Sequence, residues 1–262
     1  MNPALRTAAS GMMAQQTRTE VIANNLANVN TTGFKRSRAQ FQDLLYQTIQ
    51  GASVLGGPDA NTQAAIQVGR GTHLAGVMRV HAQGTLEQTG RPMDMAIEGE
   101  GFFQVQLPSG STGYTRDGGM QISDQGVLTT SSGNQIIPGI HIPAEAANIA
   151  ISRSGVVSYT KEGKGETVEL GRIEIARFSN PSGLLAQGEN IYTETPASGQ
   201  AVTGFPNDEG MGQIIQGSLE GSNVEVVQEM VDMISAQRAY ELNSKAVKAT
   251  DEMSEIATQI VR

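Results

Sequence analysis

Residues 21–36, VIANNLANVNTTGFKR, form the end of the first helical segment predicted for this chain. Before and within this stretch, positions three and four apart repeat over four heptads, as in a coiled-coil seam: Leu5, Ala8, Met12, Gln15, Thr19, Ile22, Leu26 and Val29. Pro3 suits the first turn of a helix, and Gly33 suits the residue after its end. The pattern therefore predicts a helix within residues 1–30, with a seam that two polar members weaken in the middle.

Three asparagines, Asn24, Asn25 and Asn28, lie within a turn of one another near this helix end. Asparagine is a mediocre helix former, because its amide competes for nearby backbone groups. Each amide also offers two donors and an acceptor. We therefore expect the cluster to satisfy backbone groups at a junction between subunits; the alternative is a frayed helix end with solvated amides. Lys35 and Arg36 follow, where they could offset the helix dipole or meet an acidic helix of another copy.

A second helix is predicted over residues 223–261. It begins at a capping box, in which Ser222 precedes Glu225 by three residues. Heptad spacing is kept in its second half by Ala239, Leu242, Ala246, Ala249, Met253, Ile256 and Ile260. An upstream group, formed by Val227, Val231 and Ile234, joins this stripe only if one extra residue is absorbed near Arg238, as in a stutter. Because both seams are weakly apolar, we predict that the terminal helices pair with each other and also pack against other copies.

The middle of the chain, residues 77–205, has the pattern of an antiparallel β domain. Short β-type runs alternate with glycine turns; GFFQVQL (101–107), for example, precedes the turn at 108–110. A later run, RIEIARF (172–178), alternates apolar and charged residues. The fold class predicted is α+β: a discontinuous terminal helical coiled-coil domain with an inserted antiparallel all-β domain.

The predicted boundaries follow from these patterns. The helical domain takes residues 1–30 and 222–262, and a connecting region takes residues 31–76 and 206–221. Within the connecting region, residues 46–71 carry two apolar, β-branched runs around a glycine- and proline-rich centre. We predict an extended hairpin with its turn near Pro58.

Composition argues against most kinds of chemistry. The chain has no cysteine, and its three histidines are far apart, so disulfides and thiolate or paired-histidine metal sites are not predicted. It also lacks a dinucleotide fingerprint, a phosphate-binding loop and a nucleophile elbow. The net charge of −8 without a basic stripe argues against nucleic-acid binding. We expect no catalytic residue, no cofactor, no metal and no enzyme activity.

Two terminal stretches of this sequence resemble the flagellar rod and hook axial protein family. Residues 14–49, AQQTRTEVIANNLANVNTTGFKRSRAQFQDLLYQTI, are similar to the family's N-terminal signature, and residues 219–253, LEGSNVEVVQEMVDMISAQRAYELNSKAVKATDEM, to its C-terminal signature. In the middle, GEGFFQVQLPSGSTGYTRDG (99–118) and NIYTETPASG (190–199) resemble the distal-rod members. Residues 46–71 resemble the extra segment that marks the distal rod and that the hook lacks.

This resemblance implies a structural subunit of the bacterial flagellar distal rod. Many copies would assemble into a rigid helical tube that transmits torque from motor to hook and conducts exported subunits. The implied partners are further copies, proximal rod proteins, hook or hook–rod junction subunits, the surrounding P- and L-ring proteins and the flagellar type III export apparatus. The implied location is the basal body, in the rod that spans the periplasm, and export would need no cleaved signal peptide.

The subunit interface is expected along the two seams, the asparagine cluster and the residues that flank it. The residues are Leu5, Met12, Ile22, Asn24, Asn25, Leu26, Asn28, Phe34, Lys35, Arg36, Ser222, Asn223, Val227, Ile234, Gln237, Arg238, Tyr240, Leu242, Asn243, Met253 and Ile256. The alternatives are a hook or proximal rod relative, a cell-wall-acting enzyme, and an adhesive β-module with helical anchors. The last of these usually binds through exposed aromatics, and only 4% of this chain is aromatic.

Overall fold

The computed structural model describes residues 3–50, 53–54, 62–63, 65–143, 145–161 and 167–260. The chain forms two compact units. The first, called here the helical unit, comprises Met1–Leu26, Ser37–Met78 and Val226–Arg262. The second, called the β unit, comprises Ala27–Arg36 and Arg79–Glu225.

Both predicted terminal helices are present, as α1 (Pro3–Ala27) and α2 (Val226–Ile260). α1 ends three residues before the predicted boundary, because the Thr31 N–H donates to the Asn28 carbonyl in a tight turn that leaves the helix. α2 begins three residues later than predicted. The capping-box prediction is wrong, since the buried Ser222 hydroxyl has no hydrogen-bond partner among the described residues.

Three close approaches within the helical unit show that α1 and α2 pack antiparallel. Asn25 hydrogen-bonds Glu229 at 3.2 Å, and Arg18 forms an ion pair with Asp232 at 3.0 Å. Further along, a Cβ added to Gly11 would lie 2.9 Å from the Asn243 amide nitrogen. Partners earlier in α1 thus meet partners later in α2, which confirms that the terminal helices pack together.

The face of α2 toward α1 is small and polar. Its buried side chains are Glu229, Ala236 and Thr250, at spacings that are multiples of seven residues. Asn243 falls in the same series and is half-buried. The expectation that the apolar stripe of α2 forms the seam with α1 is therefore wrong. In α1, Ile22 of the predicted seam is buried, and Ala14, which is not a member of that seam, is also buried.

The strands are numbered in chain order. They are β1 (Ser37–Asp43), β2 (Tyr46–Gln50), β3 (Ser53–Val54), β4 (Thr62–Gln63), β5 (Ile66–Gly69), β6 (Thr72–Arg79), β7 (Leu86–Gln88), β8 (Met95–Glu98), β9 (Phe102–Gln106), β10 (Thr112–Thr115), β11 (Met120–Ile122), β12 (Leu128–Thr130), β13 (Gln135–Ile136), β14 (Ala146–Ile151), β15 (Val156–Lys161), β16 (Thr167–Arg172), β17 (Ile175–Arg177), β18 (Leu185–Gly188), β19 (Ile191–Thr193), β20 (Val202–Gly204), β21 (Gln213–Gln216) and β22 (Ser218–Glu220).

The strands near α1 form narrow two-stranded sheets. β1 pairs with β6, β2 pairs antiparallel with β5, and β3 pairs antiparallel with β4. The last two pairs form a hairpin arm, which is the term used below for β2–β5 and its extension. The predicted turn near Pro58 lies outside the described residues.

The β unit is built from antiparallel pairings around one main apolar core. A nine-stranded sheet runs in the order β11-β12-β13-β9-β10-β19-β18, with β17 joined to β9 and β20 joined to β17. Strands β14–β16 form a three-stranded sheet, and β8–β21 and β7–β22 form two-stranded sheets. Phe103, Val105 and Ile175 lie in the main core without exposed surface. The predicted antiparallel β domain is thus present.

One predicted strand is broken in two. The run at 172–178 contains the end of β16 and the start of β17. Between them lie Ile173 and Glu174, and the Ile173 N–H donates to the Gly155 carbonyl, next to the start of β15. Ile173 and Ile175, two apolar members of the predicted alternation, are nevertheless both buried.

Candidate subunit interface

No group of histidines and carboxylates among the described residues could hold a metal ion. Within the same residues, no helix is long and apolar enough to cross a membrane. The search for a functional site therefore turns to surfaces that could bind another protein.

α2 carries a broad apolar stripe of exposed side chains along its length. We call it the outer stripe; its members are Val227, Met230, Val231, Ile234, Leu242, Met253 and Ile256. Their exposed fractions run from 49% at Ile234 to 76% at Val227. At about 100° of rotation per residue, Val227, Val231 and Ile234 lie about 160° from the neighbouring residue of the buried series at 229, 236 and 250, and the other four members lie to the sides of it. The stripe extends along a helix of 35 residues, about 50 Å long.

An exposed apolar face of this length is typical of a protein–protein contact, because soluble monomers rarely expose large continuous apolar patches. About half or more of each of these side chains stays exposed within the chain. The outer stripe is therefore the best candidate for a subunit interface in the helical unit.

The hairpin arm is a second apolar surface. Tyr46 and Ile49 on β2 and Ile66 and Val68 on β5 are all exposed by about half or more of their surface. A lone two-stranded ribbon is marginally stable in water. The arm therefore has the character of a segment that gains stability when another surface covers it.

The predicted interface residues separate into three groups by exposure. The exposed ones are Asn24, Val227, Ile234, Gln237, Arg238, Tyr240, Leu242, Met253 and Ile256. The half-buried ones are Leu5, Met12, Leu26, Asn28, Arg36, Ser222, Asn223 and Asn243. The buried ones are Ile22, Asn25, Phe34 and Lys35. Direct contact with another copy thus remains a prediction chiefly for the exposed residues. The buried residues support the fold of the chain around these exposed positions.

Asn25 shows which contacts one member of the asparagine cluster makes. Its amide accepts from the Ser37 N–H at 2.8 Å and donates to the Ser37 carbonyl at 2.9 Å. The same amide nitrogen donates to Glu229, so one side chain joins α1, β1 and α2. Each such bond contributes about 0.5–1.5 kcal/mol. The amide thus serves a junction inside the helical unit.

Asn223 has a similar role within the β unit. Its amide oxygen accepts from the Arg36 N–H at 2.8 Å, and its nitrogen donates to the carbonyls of Val80 and Ala82 at 2.8 and 3.0 Å. The amide therefore holds three separate segments of backbone together. These contacts of Asn223, rather than the predicted capping box, hold the chain just before α2.

A buried ion cluster supports the same part of the β unit. The Glu220 carboxylate accepts from the Lys35 ammonium at 2.5 Å, the Arg116 guanidinium at 3.2 Å and the Gly84 N–H at 2.8 Å. Lys35 and Glu220 have no exposed side-chain surface. Burial lowers the pKa of Lys35, and the adjacent Glu220 carboxylate acts in the opposite direction. The cluster fixes residues from three distant parts of the chain.

Sequence reasoning missed Arg116 and Glu220. Both lie in short strands or turns, where charged residues usually face solvent. The available signal was weak: Glu220 shares the inward face of β22 with Ser218, two residues before it.

Comparison with known protein families assigns both ends and the middle of the chain. Residues 5–35 match the flagella basal body rod protein family, and residues 215–260 match the C-terminal region of the flagellar basal body rod FlgEFG proteins. Residues 96–159 match the D1 domain of the flagellar hook protein FlgE/F/G family. The last match lies within the β unit.

Several relatives that match the whole chain are flagellar basal-body rod proteins named FlgG. A flagellar basal-body rod protein FlgG of Borreliella burgdorferi is 48% identical over 100% of both chains. One of Caulobacter vibrioides is 47% identical over 98% of both chains, and one of Bacillus subtilis is 39% identical over 93% of both. With these relatives and the paired terminal helices, the chain belongs to the FlgG family of flagellar basal-body rod proteins and is a structural subunit of the rod rather than an enzyme.

Proposed function

We propose that this protein forms the distal part of the flagellar rod by assembling with many copies of itself into a rigid helical tube. The observation that carries the proposal is the outer stripe, whose apolar side chains stay about half exposed or more within the chain. In this proposal the tube transmits torque from motor to hook and conducts exported subunits through its lumen.

The outer stripe supports a polymer better than a dimer. Each of its seven side chains is already partly covered, so a further contact contributes on the order of 1 kcal/mol per side chain. Holding two free molecules together costs about 4–15 kcal/mol of lost translational and rotational freedom. One contact of this size therefore gives a weak pair, whereas a subunit that touches several neighbours in a tube is held firmly. A contact between different faces of two copies also repeats without closing, which produces a filament.

The partners proposed beyond further copies are those of a rod segment. They are proximal rod proteins on one side, hook or hook–rod junction subunits on the other, and the surrounding P- and L-ring proteins. We also propose that the chain reaches the periplasm through the flagellar type III export apparatus without a cleaved signal peptide. Its family membership itself implies assembly with flagellar components in the basal body.

Electron microscopy of concentrated protein tests the assembly proposal. We expect straight, hollow tubes to form as protein concentration rises, because each added copy then meets several outer stripes. Particles that remain monomers or closed dimers at all concentrations would contradict a helical polymer.

The hairpin arm is proposed as a brace between neighbouring subunits. Its exposed Tyr46, Ile49, Ile66 and Val68 gain cover only from another molecule or another part of the assembly. Deleting residues 50–67 is expected to leave subunits that still polymerise but form more flexible, curved tubes. The measurement is tube curvature by electron microscopy, beside wild-type tubes prepared in parallel. Tubes that stay equally straight would leave the arm as a surface loop and place stiffness elsewhere.

A further inference from the structure

His81 lies in the β unit between β6 and β7, where its ring is enclosed by aromatic side chains. The ring centroids of Phe102 and Tyr192 lie 5.5 and 5.4 Å away, both edge-on. Both imidazole nitrogens are buried and have no hydrogen-bond partner among the described residues. His73 and His141, the other two histidines of the chain, are exposed.

The charged groups around His81 are mostly cations. Lys35 follows α1, Arg116 follows β10, and Arg79 ends β6 with its guanidinium 5.2 Å from the centre of the Tyr192 ring. Burial raises the pKa of Tyr192, so this neighbour stays neutral. The carboxylate of this cluster is Glu220 on β22, which already accepts from Lys35, Arg116 and the Gly84 N–H.

From this arrangement we propose that His81 makes the stability of the β unit sensitive to acid, because the folded unit loses stability when this ring takes up a proton. A proton taken up by the ring adds a cation among three others, at a place where the Glu220 carboxylate already accepts from Lys35, Arg116 and the Gly84 N–H. The backbone on either side of the ring is held to distant segments, since Lys35 binds the Ala82 carbonyl and Asn223 binds those of Val80 and Ala82. Protonation of the ring is therefore expected to weaken the hold on the backbone of residues 80–82, which these contacts keep in place.

The direction of the effect follows from proton binding. Burial, followed by the charges of Lys35, Arg116 and Arg79, lowers the pKa of His81 from 6.5 to about 4. The unfolded ring binds a proton near pH 6.5, and the folded ring resists it. The contribution of the neutral ring is thus fully present above pH 6.5 and is lost progressively as the pH falls toward 4. A difference of about 2.5 pH units corresponds to about 300-fold in the unfolding equilibrium constant.

His81→Leu tests this proposal in the full chain, studied at concentrations where it stays monomeric. Leucine fills a similar volume and needs no hydrogen bond or proton. Denaturant unfolding at a series of pH values from 7 to 4 gives the equilibrium constant for each protein. We expect the unfolding equilibrium constant of wild type to rise about 100-fold more than that of His81→Leu over this interval. The control, His141→Asn, changes an exposed histidine and is expected to follow wild type.

Equal pH dependence in wild type and His81→Leu would overturn the proposal. A second measurement covers the case in which the leucine variant fails to fold. Proton NMR of the wild-type imidazoles, assigned with His73→Asn and His141→Asn, gives the titration of each ring. The proposal requires that the His81 resonance stay unchanged down to about pH 5. A midpoint near that of the two exposed rings would refute it.

Discussion

Glu220→Gln is expected to destabilise the β unit by about 3–5 kcal/mol, because it removes the counter-charge from two buried cations. Lys35 has no exposed surface and Arg116 has very little, so neither can regain water without opening the unit. The neutral amide also cannot accept from the same three donors in the same way. The measurement is the free energy of unfolding from denaturant titration, followed by a probe of the β unit.

Two further variants make this prediction specific. Glu87→Gln removes an exposed carboxylate from the neighbouring strand β7 and is expected to change stability by less than about 0.5 kcal/mol. The double variant Lys35→Met/Glu220→Gln removes both members of the ion pair and is expected to lose less stability than Glu220→Gln alone. A Glu220→Gln variant as stable as Glu87→Gln would show that the buried cluster does not hold the unit together.

Ile234→Asp is expected to abolish tube formation without unfolding the subunit. Ile234 is about half exposed in the single chain, so the substitution disturbs little within it. In an assembled interface the new carboxylate would be buried without a partner, which costs several kcal/mol at every subunit contact. Sedimentation and electron microscopy give the polymerised fraction, and circular dichroism checks the fold.

Ser235→Asp is the matched control for this helix. It introduces the same carboxylate at an exposed position that is already polar, next in sequence to Ile234 and about 100° around the helix from it. We expect it to retain most tube formation. If Ile234→Asp polymerises as well as Ser235→Asp, the outer stripe is not the contact between subunits.

The terminal helices could be predicted from the sequence because heptad spacing is a periodic signal. The face through which α2 meets α1 could not. Glu229, Ala236, Asn243 and Thr250 have no common apolar character, and the stronger pattern on the same helix belongs to the outer stripe. A search for apolar periodicity finds the most hydrophobic face of a helix, and in this chain that face is left exposed.

The contacts made by the asparagines and charged residues could not be predicted from the sequence either. Asn25 and Ser37 are 12 residues apart, whereas Lys35 and Glu220 are 185 apart and Arg116 and Glu220 are 104 apart. No local pattern connects such partners. The unusual density of asparagines did mark the right region, although the structure places the Asn25 amide in contacts within the chain.

The weak, repeated character of the outer stripe has a consequence for how tubes begin. Two free copies that meet gain too little to stay together, so nucleation in solution is slow. An incoming copy at an existing end meets several neighbours at once and is retained. In the proposed assembly, growth is confined to ends that are already formed, and the apolar face that would build the tube leaves free subunits separate until they reach such an end.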